Sequence, residues 1–297
     1  IRILERYQRR KSDLNDSYYK IEEMNGYYRI GSPEAVFCYV IVGKEKAMLI
    51  DTGYAYGNLK QAVRSITDKP LYIVNTHGHV DHVSGNAQFE EKVYIHKKDM
   101  ELCREHTGKE MREQSIEHAM HSVNYETHEE YNALPVDFDR ETYINQGAGN
   151  LVGVADGQRF DLGGATMEIV ETPGHTQGGI SVWYKEKKIV FIGDTTGFFV
   201  WLFAPETTSR DVYINTLKCL LELPADSYIG GHNENVMTKD DLKLYIRAAE
   251  EADFESGQKF ESFYNGEEEV RVCALDGKTL DNMFEPGFAA MVITKDK

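Results

Sequence analysis

The chain has 297 residues, 41% of them hydrophobic, with 33 Lys and Arg against 49 Asp and Glu for a net charge of −16. That balance points away from nucleic acid and from anionic membrane surfaces, because both need clustered cations. No apolar run approaches the roughly 20 residues that span a bilayer, and the first residues lack the basic start and apolar core of a secretory signal. The four cysteines, Cys38, Cys103, Cys219 and Cys273, are far apart in sequence and form no CxxC pair. They are expected to be reduced thiols, which fits a cytoplasmic protein. The length suits one large α/β domain or two small ones with an ample core, and the chain is read as a single domain over 1–297.

In chain order, Tyr19 to Ile30 holds two short runs broken by Asn25-Gly26, a hairpin signal. Ala35 to Val42 and Ala47 to Ile50 read as buried strands. Leu59 to Ile66 reads as a helix with Leu59, Ala62, Val63 and Ile66 on one face. Leu71 to Val74 is a short buried strand. From Lys97 to about Asn145 the charge density rises and the pattern is helical, so this stretch is read as an insertion on the main domain. Strands return at Gln158 to Leu162, Ala165 to Glu171, Gly179 to Tyr184 and Lys188 to Ile192. Asp211 to Leu223 is a helix with a stripe of Tyr213, Leu217, Leu220 and Leu221. Ser227 to Gly230 is a strand. Thr238 is placed to cap a helix running to about Phe254. Val270 to Ala274 and Phe288 to Thr294 close the chain as strands.

The strand ending at Val74 feeds directly into Thr76-His77-Gly78-His79-Val80-Asp81-His82. Three imidazoles and a carboxylate so close together are the donors that zinc, iron and manganese take from proteins. Burying them without a metal would leave several polar nitrogens to satisfy. Three further candidates stand at the ends of strand-like runs, each after a glycine: His175, Asp194 and His232. A lone histidine at a strand end is more often a hydrogen-bonded structural residue than a ligand. A metal at the first cluster makes convergence from other strand-to-loop junctions the better reading.

This arrangement resembles the metallo-β-lactamase superfamily. His77, His79, Asp81 and His82 match its HxHxDH motif, and His175, Asp194 and His232 match the three later ligand positions in order. Thr172 to Thr176 is similar to the family's TPGHT segment and Ile50 to Gly53 to its LIDTG strand end. Ile229 to His232 is similar to its PGH segment, with Gly230 where proline is usual. The resemblance runs from about Tyr19 to His232. It implies a four-layer αββα sandwich with a helical insertion at about 97–145, and two adjacent divalent ions, zinc first, with iron or manganese as alternatives. Carried over, His77, His79 and His175 bind the first, Asp81, His82 and His232 the second, and Asp194 bridges them. The implied nucleophile is a hydroxide shared by the two ions. Asp81 is the implied catalytic residue, orienting the hydroxide and carrying a proton to the leaving group. Asp51 either holds a ligand imidazole or simply caps the turn after its strand.

Departures from subfamily patterns narrow the substrate. The superfamily's β-lactamases carry Cys or Ser where this chain has Asp194. Acyl-homoserine lactonases carry a Tyr where this chain has Gly197. Flavodiiron proteins carry Glu in place of His79. The basic segment that binds glutathione in glyoxalase II-type thioesterases has no counterpart, since Gly266 to Glu269 is acidic. The expectation is hydrolysis of an ester, thioester or lactone in a small molecule with an apolar part. The alternatives are a phosphodiesterase of the same fold, a non-catalytic metal-binding protein, and a mononuclear-iron persulfide dioxygenase using His77, His175 and Asp194. Phe198 to Phe203 either lines an apolar groove or packs beneath the insertion or in a homodimer contact. The insertion, with Tyr125, Tyr131, His106, His118, His121 and His128, is read as a lid whose histidines are solvated. His96 and Tyr228 are read as structural.

Overall fold

Two sheets face each other because apolar side chains alternate inward and outward along their strands. The computed structural model describes residues 18–124, 127–261 and 268–297; Tyr125 and Gly266 lie outside them. The first sheet begins with β1 (Lys20–Glu23), β2 (Tyr28–Gly31), β3 (Phe37–Val42) and β4 (Ala47–Ile50) as an antiparallel meander. The predicted Asn25-Gly26 hairpin joins β1 to β2, with Gly26 at φ 97°. Helix α1 (Leu59–Ile66) then crosses to β5 (Leu71–Val74), which runs parallel to β4. After α2 (Val80–Val83), β6 (Lys92–His96) continues the parallel sheet.

The predicted insertion holds helices α3 (Met100–His106), α4 (Lys109–Met120) and α5 (Arg140–Ile144) and a small hairpin of β7 (Ser122–Val123) and β8 (Glu130–Tyr131). Strand β9 (Asn150–Val154), not foreseen from the sequence, returns to the sheet beside β6. The second sheet is built from β10 (Arg159–Asp161), β11 (Thr166–Glu171), β12 (Ile180–Tyr184) and β13 (Ile189–Gly193). Beyond them come β14 (Val200–Trp201), α6 (Arg210–Glu222), β15 (Ser227–Gly230) and α7 (Lys239–Glu251). Strand β15 completes the second sheet parallel to β13. Strands β16 (Gln258–Phe260), β17 (Val270–Ala274) and β18 (Ala290–Ile293) form a third sheet with β14.

Tyr39 and Ile41 of β3 and Met48 and Ile50 of β4 point between the sheets, against Met167, Ile169, Val182 and Phe191. Val40 and Leu49 point outward beneath Leu59 and Val63 of α1. On the far side, Val190 and Ile192 of β13 meet Tyr213 and Leu217 of α6 and Leu242 and Tyr245 of α7. The result is the expected αββα sandwich. Thr238 caps α7 as predicted, in a capping box with Asp241. The helix ends at Glu251 rather than Phe254.

Two expectations need correction. His118, His121 and His128 are exposed, but His106 is buried: α3 packs against α2, and the ring covers a face of His79. The aromatic run from Phe198 to Phe203 does not pack beneath the insertion. Alternation sends Val200 and Leu202 to the α6–α7 side, while Phe199, Trp201 and Phe203 pack with Val270, Val272 and Phe288 of the third sheet. Tyr228 and His96 are structural as read: Tyr228 is fully buried and donates to the Leu220 carbonyl, and His96 lies 3.1 Å from Glu171. All four cysteines are free thiols, and among the described residues no helix is long and apolar enough to cross a membrane.

Ile169 is fully buried between the sheets. Ile169→Ala is expected to cost about 2–5 kcal/mol, measured as a lower denaturant midpoint.

Candidate metal centre

Every predicted ligand follows the carboxyl end of a strand, where the backbone leaves the sheet. Strand β5 delivers His77, His79, Asp81 and His82; β11 delivers His175, β13 Asp194 and β15 His232. Gly193 and Gly230 are direct partners across β13 and β15, so Asp194 and His232 leave the sheet side by side. All seven predicted residues converge in two groups able to hold a metal ion: His77, His79 and His175 in one, and Asp81, His82, Asp194 and His232 in the other. Asp194 reaches toward both, with Oδ2 3.1 Å from His232 Nε2 and 3.8 Å from His175 Nε2.

The outer nitrogens decide what the inner ones offer. His175 Nδ1 lies 3.1 Å from the Trp201 carbonyl, and His79 Nε2 lies 2.9 Å from Glu206 Oε1. A carbonyl and an ionised carboxylate only accept, so both nitrogens carry hydrogen. His79 Nδ1 and His175 Nε2, 2.9 Å apart, therefore present lone pairs to each other. The Thr76 hydroxyl donates to Asp51 Oδ2, which leaves its oxygen to accept from His77 Nδ1 at 3.1 Å. His77 Nε2 is buried with no hydrogen-bond partner among the described residues. Three lone pairs thus point at one spot, an arrangement that a cation between them satisfies. Burial and neighbouring imidazoles depress His77 well below its usual range and His175 to about 4, so these rings are neutral donors.

The second group is held by Asp51. Its Oδ2 lies 2.9 Å from His82 Nδ1, and its Oδ1 accepts the Thr76 backbone N–H at 2.7 Å. Of the two readings of Asp51, the structure shows the imidazole holder. The residue sits at φ 59°, a left-handed conformation that Asp tolerates better than most and that accompanies functional turns. The His82 carbonyl accepts from the Thr52 and Asn75 side chains, which fixes the short helix α2. Burial would depress His82 and His232, yet Asp194 and Asp81 hold His82 well above its usual range and push His232 up to about 10. Burial would likewise raise Asp81 and Asp194, but the facing imidazoles hold both carboxyls well below theirs. This pocket favours positive charge, as protons or as a dication that displaces them.

Several supporting residues carry no sequence signal. Asp99 is almost fully buried and ties two ligand loops together. Its Oδ2 accepts from Gly78 N–H and the Thr176 hydroxyl, and its Oδ1 from Gly178 N–H. Tyr213 donates to the Thr195 carbonyl and Tyr245 to those of Gly197 and Phe198, so α6 and α7 anchor the loop after Asp194. His106 accepts the Val80 N–H and stacks on His79 at 5.1 Å; its sequence showed only a polar helix.

A family model described as the metallo-beta-lactamase superfamily matches residues 31–232, more than half of the chain. The chain belongs to the metallo-β-lactamase superfamily, and it is a hydrolase of that superfamily. It is 28% identical over 199 residues to metallo-beta-lactamase fold-containing protein ST1585 of Sulfurisphaera tokodaii, covering 64% of this chain and 70% of that one. It is 27% identical over 226 residues to the acyl-coenzyme A thioesterase MBLAC2 of Homo sapiens, covering 71% and 74%. The crystal structure of ST1585 from Sulfolobus tokodaii superimposes with a TM-score of 0.52 at 22% identity, over 76% of this chain and 86% of that one, a likeness of fold.

Two substitutions probe the scaffold. A Cβ on Gly231 would stand 2.6 Å from Asp194 Oδ1 and 2.7 Å from His82 Cε1. Gly231→Ala is expected to fold, by circular dichroism, but to retain less metal than the natural protein by elemental analysis. In Asp99→Asn an amide N–H would face one of three donors. The expected loss is about 1–3 kcal/mol, the cost of one unsatisfied buried group, read by thermal denaturation.

Proposed function

We propose that this hydrolase cleaves an ester, thioester or lactone bond in a small molecule with an apolar part, a thioester foremost. The observation that carries the reading is the convergence of seven donors in two adjacent groups with Asp194 reaching both. His77, His79 and His175 would hold one divalent ion and Asp81, His82 and His232 the other, with Asp194 shared. Ions bound there would supply Lewis acidity toward a carbonyl oxygen and an activated water. Zinc suits this donor set, and iron and manganese are accepted by the same atoms.

The chain's own residues do the rest. Asp81 Oδ2 lies 3.1 Å from His232 Nε2. Both side chains are partly exposed, at 17% and 32%, whereas His77 and His82 are buried, so substrate approaches from this side. Held ionised by its imidazole neighbours, Asp81 accepts a hydrogen bond from the attacking water, orients it and passes the proton to the departing thiolate or alkoxide. The insertion packs Ile116, Ala119 and Tyr143 against Tyr54, Tyr56 and Val80, which supports its reading as a wall or lid beside the metal loop. Thioester is put first because the acyl-coenzyme A thioesterase relative aligns over most of the chain. A mononuclear dioxygenase would need only His77, His175 and Asp194. The second group, complete and backed by Asp51, favours two ions.

Elemental analysis of gently purified protein is expected to give close to two metals per chain. Turnover of an acyl thioester is expected to exceed that of phosphodiesters, and Asp194→Ala is expected to abolish it. One iron per chain with sulfur-dependent oxygen uptake would sink the proposal. Chelation should lower the melting temperature, because an ion bound only by the folded state stabilises it by mass action. An unchanged melting curve after complete metal removal would argue against the site.

A further inference from the structure

His79 is the ligand with supports from two regions outside the motifs. One face of its ring is covered by His106. Its Nε2 meets Glu206, a residue in Ala204-Pro205-Glu206-Thr207 that no ligand motif includes. We propose that Glu206 is a positioning residue that sets the affinity of the His77–His79–His175 group for its metal, leaving the Asp81–His82–Asp194–His232 group largely unaffected. The inference rests on the metal reading above and goes beyond it by separating the two ions.

The outer partners of the first group are unequal. His77 is backed by a hydroxyl and His175 by a carbonyl, both neutral. The carboxylate of Glu206 is the one charged partner among these three. Asp51 is the corresponding carboxylate for His82 in the second group. Each group thus has one imidazole backed by a carboxylate, an arrangement that raises donor strength and fixes the tautomer. Glu206 is also held ready. Its backbone carbonyl accepts from Gln177 N–H at 2.9 Å, and Thr208 N–H donates to the Gly174 carbonyl at 2.9 Å. The loop carrying His175 therefore fixes the segment carrying Glu206. The side chain is 21% exposed and that of His79 10%, so their bond is partly shielded from competing water.

The test compares Glu206→Ala and Glu206→Gln with the natural protein. Metal-free protein is titrated with zinc against a chromogenic chelator. The natural protein should show two equivalents. In Glu206→Ala one equivalent should weaken by about 10–100-fold, the usual effect of removing such a partner, while the other holds. Glu206→Gln, whose amide oxygen still accepts the Nε2 hydrogen, should fall between. Nitrogen-15 NMR of the metal-free proteins gives a reading independent of metal and of turnover. His79 should hold its hydrogen on Nε2 in the natural protein and lose that preference in Glu206→Ala. Two unchanged equivalents in Glu206→Ala, or equal weakening of both, would overturn the inference while leaving the metal reading intact. Fewer than two equivalents in the natural protein would overturn the reading on which it rests. Melting curves of the metal-free variants separate misfolding from lost affinity. If Glu206→Ala is unfolded, Glu206→Gln decides: zinc binding identical to the natural protein, with the tautomer unchanged, overturns a role for the charge.

Discussion

Imidazole has two nitrogens and, when neutral, a single hydrogen. Wherever that hydrogen is held outward by an acceptor, the other nitrogen must face inward as a lone pair. Four histidines in this protein have one nitrogen held outward by an acceptor: His77 by Thr76, His79 by Glu206, His175 by the Trp201 carbonyl, and His82 by Asp51, whose inner nitrogen offers its lone pair once a cation displaces the proton there. The acceptors come from three different regions of the chain, yet all impose the same orientation. Much of the remaining architecture keeps those acceptors at hydrogen-bonding distance.

The sandwich does this by making strand ends meet. Parallel pairing of β4, β5 and β6 brings Asp51 beside Thr76, and parallel pairing of β13 and β15 brings Asp194 beside His232. Between the sheets the packing is apolar and the side chains are buried, so the strands transmit little play. At the edge where the ligand loops emerge, the interior changes character abruptly: Asp51, Asn75, Asn86, Asp99 and Thr52 are all buried and hydrogen-bonded. Such a network is stable only when nearly every member is satisfied. Single substitutions there therefore reach further than substitutions of comparable size in the apolar layers.

The sequence was legible where periodicity or motif acts alone. Strands β4, β5, β15 and β17 and helix α1 begin and end where the apolar pattern does: β4 stops at Asp51, β5 starts after Pro70, β15 lies between Asp226 and Gly231, and α1 starts at its Asn58 cap. The seven ligand positions were legible because their spacing follows a shared motif. Glu206 and Asp99 were not, because a single carboxylate in a loop carries no period; only the fold reveals which imidazole or amide it meets. His106 was misread for a related reason. It lies on a helix polar enough to look solvated, and its burial depends on the docking of that helix against α2. Of the alternatives for the aromatic run after Asp194, packing beneath the insertion fails, because the alternation visible in the sequence did not say which of two layers lay on each side.

The acceptor for His175 is a backbone oxygen, not a side chain. Any amino acid at position 201 supplies the same carbonyl, while the indole itself packs with Phe203 and Phe260 at the third sheet. Strand β14 thus carries two constraints on separate atoms: its backbone carbonyl answers to His175, and its Trp201 side chain answers to the third sheet. Diversification of the region flanking the centre need not disturb the centre itself, provided that β14 keeps its register on β18.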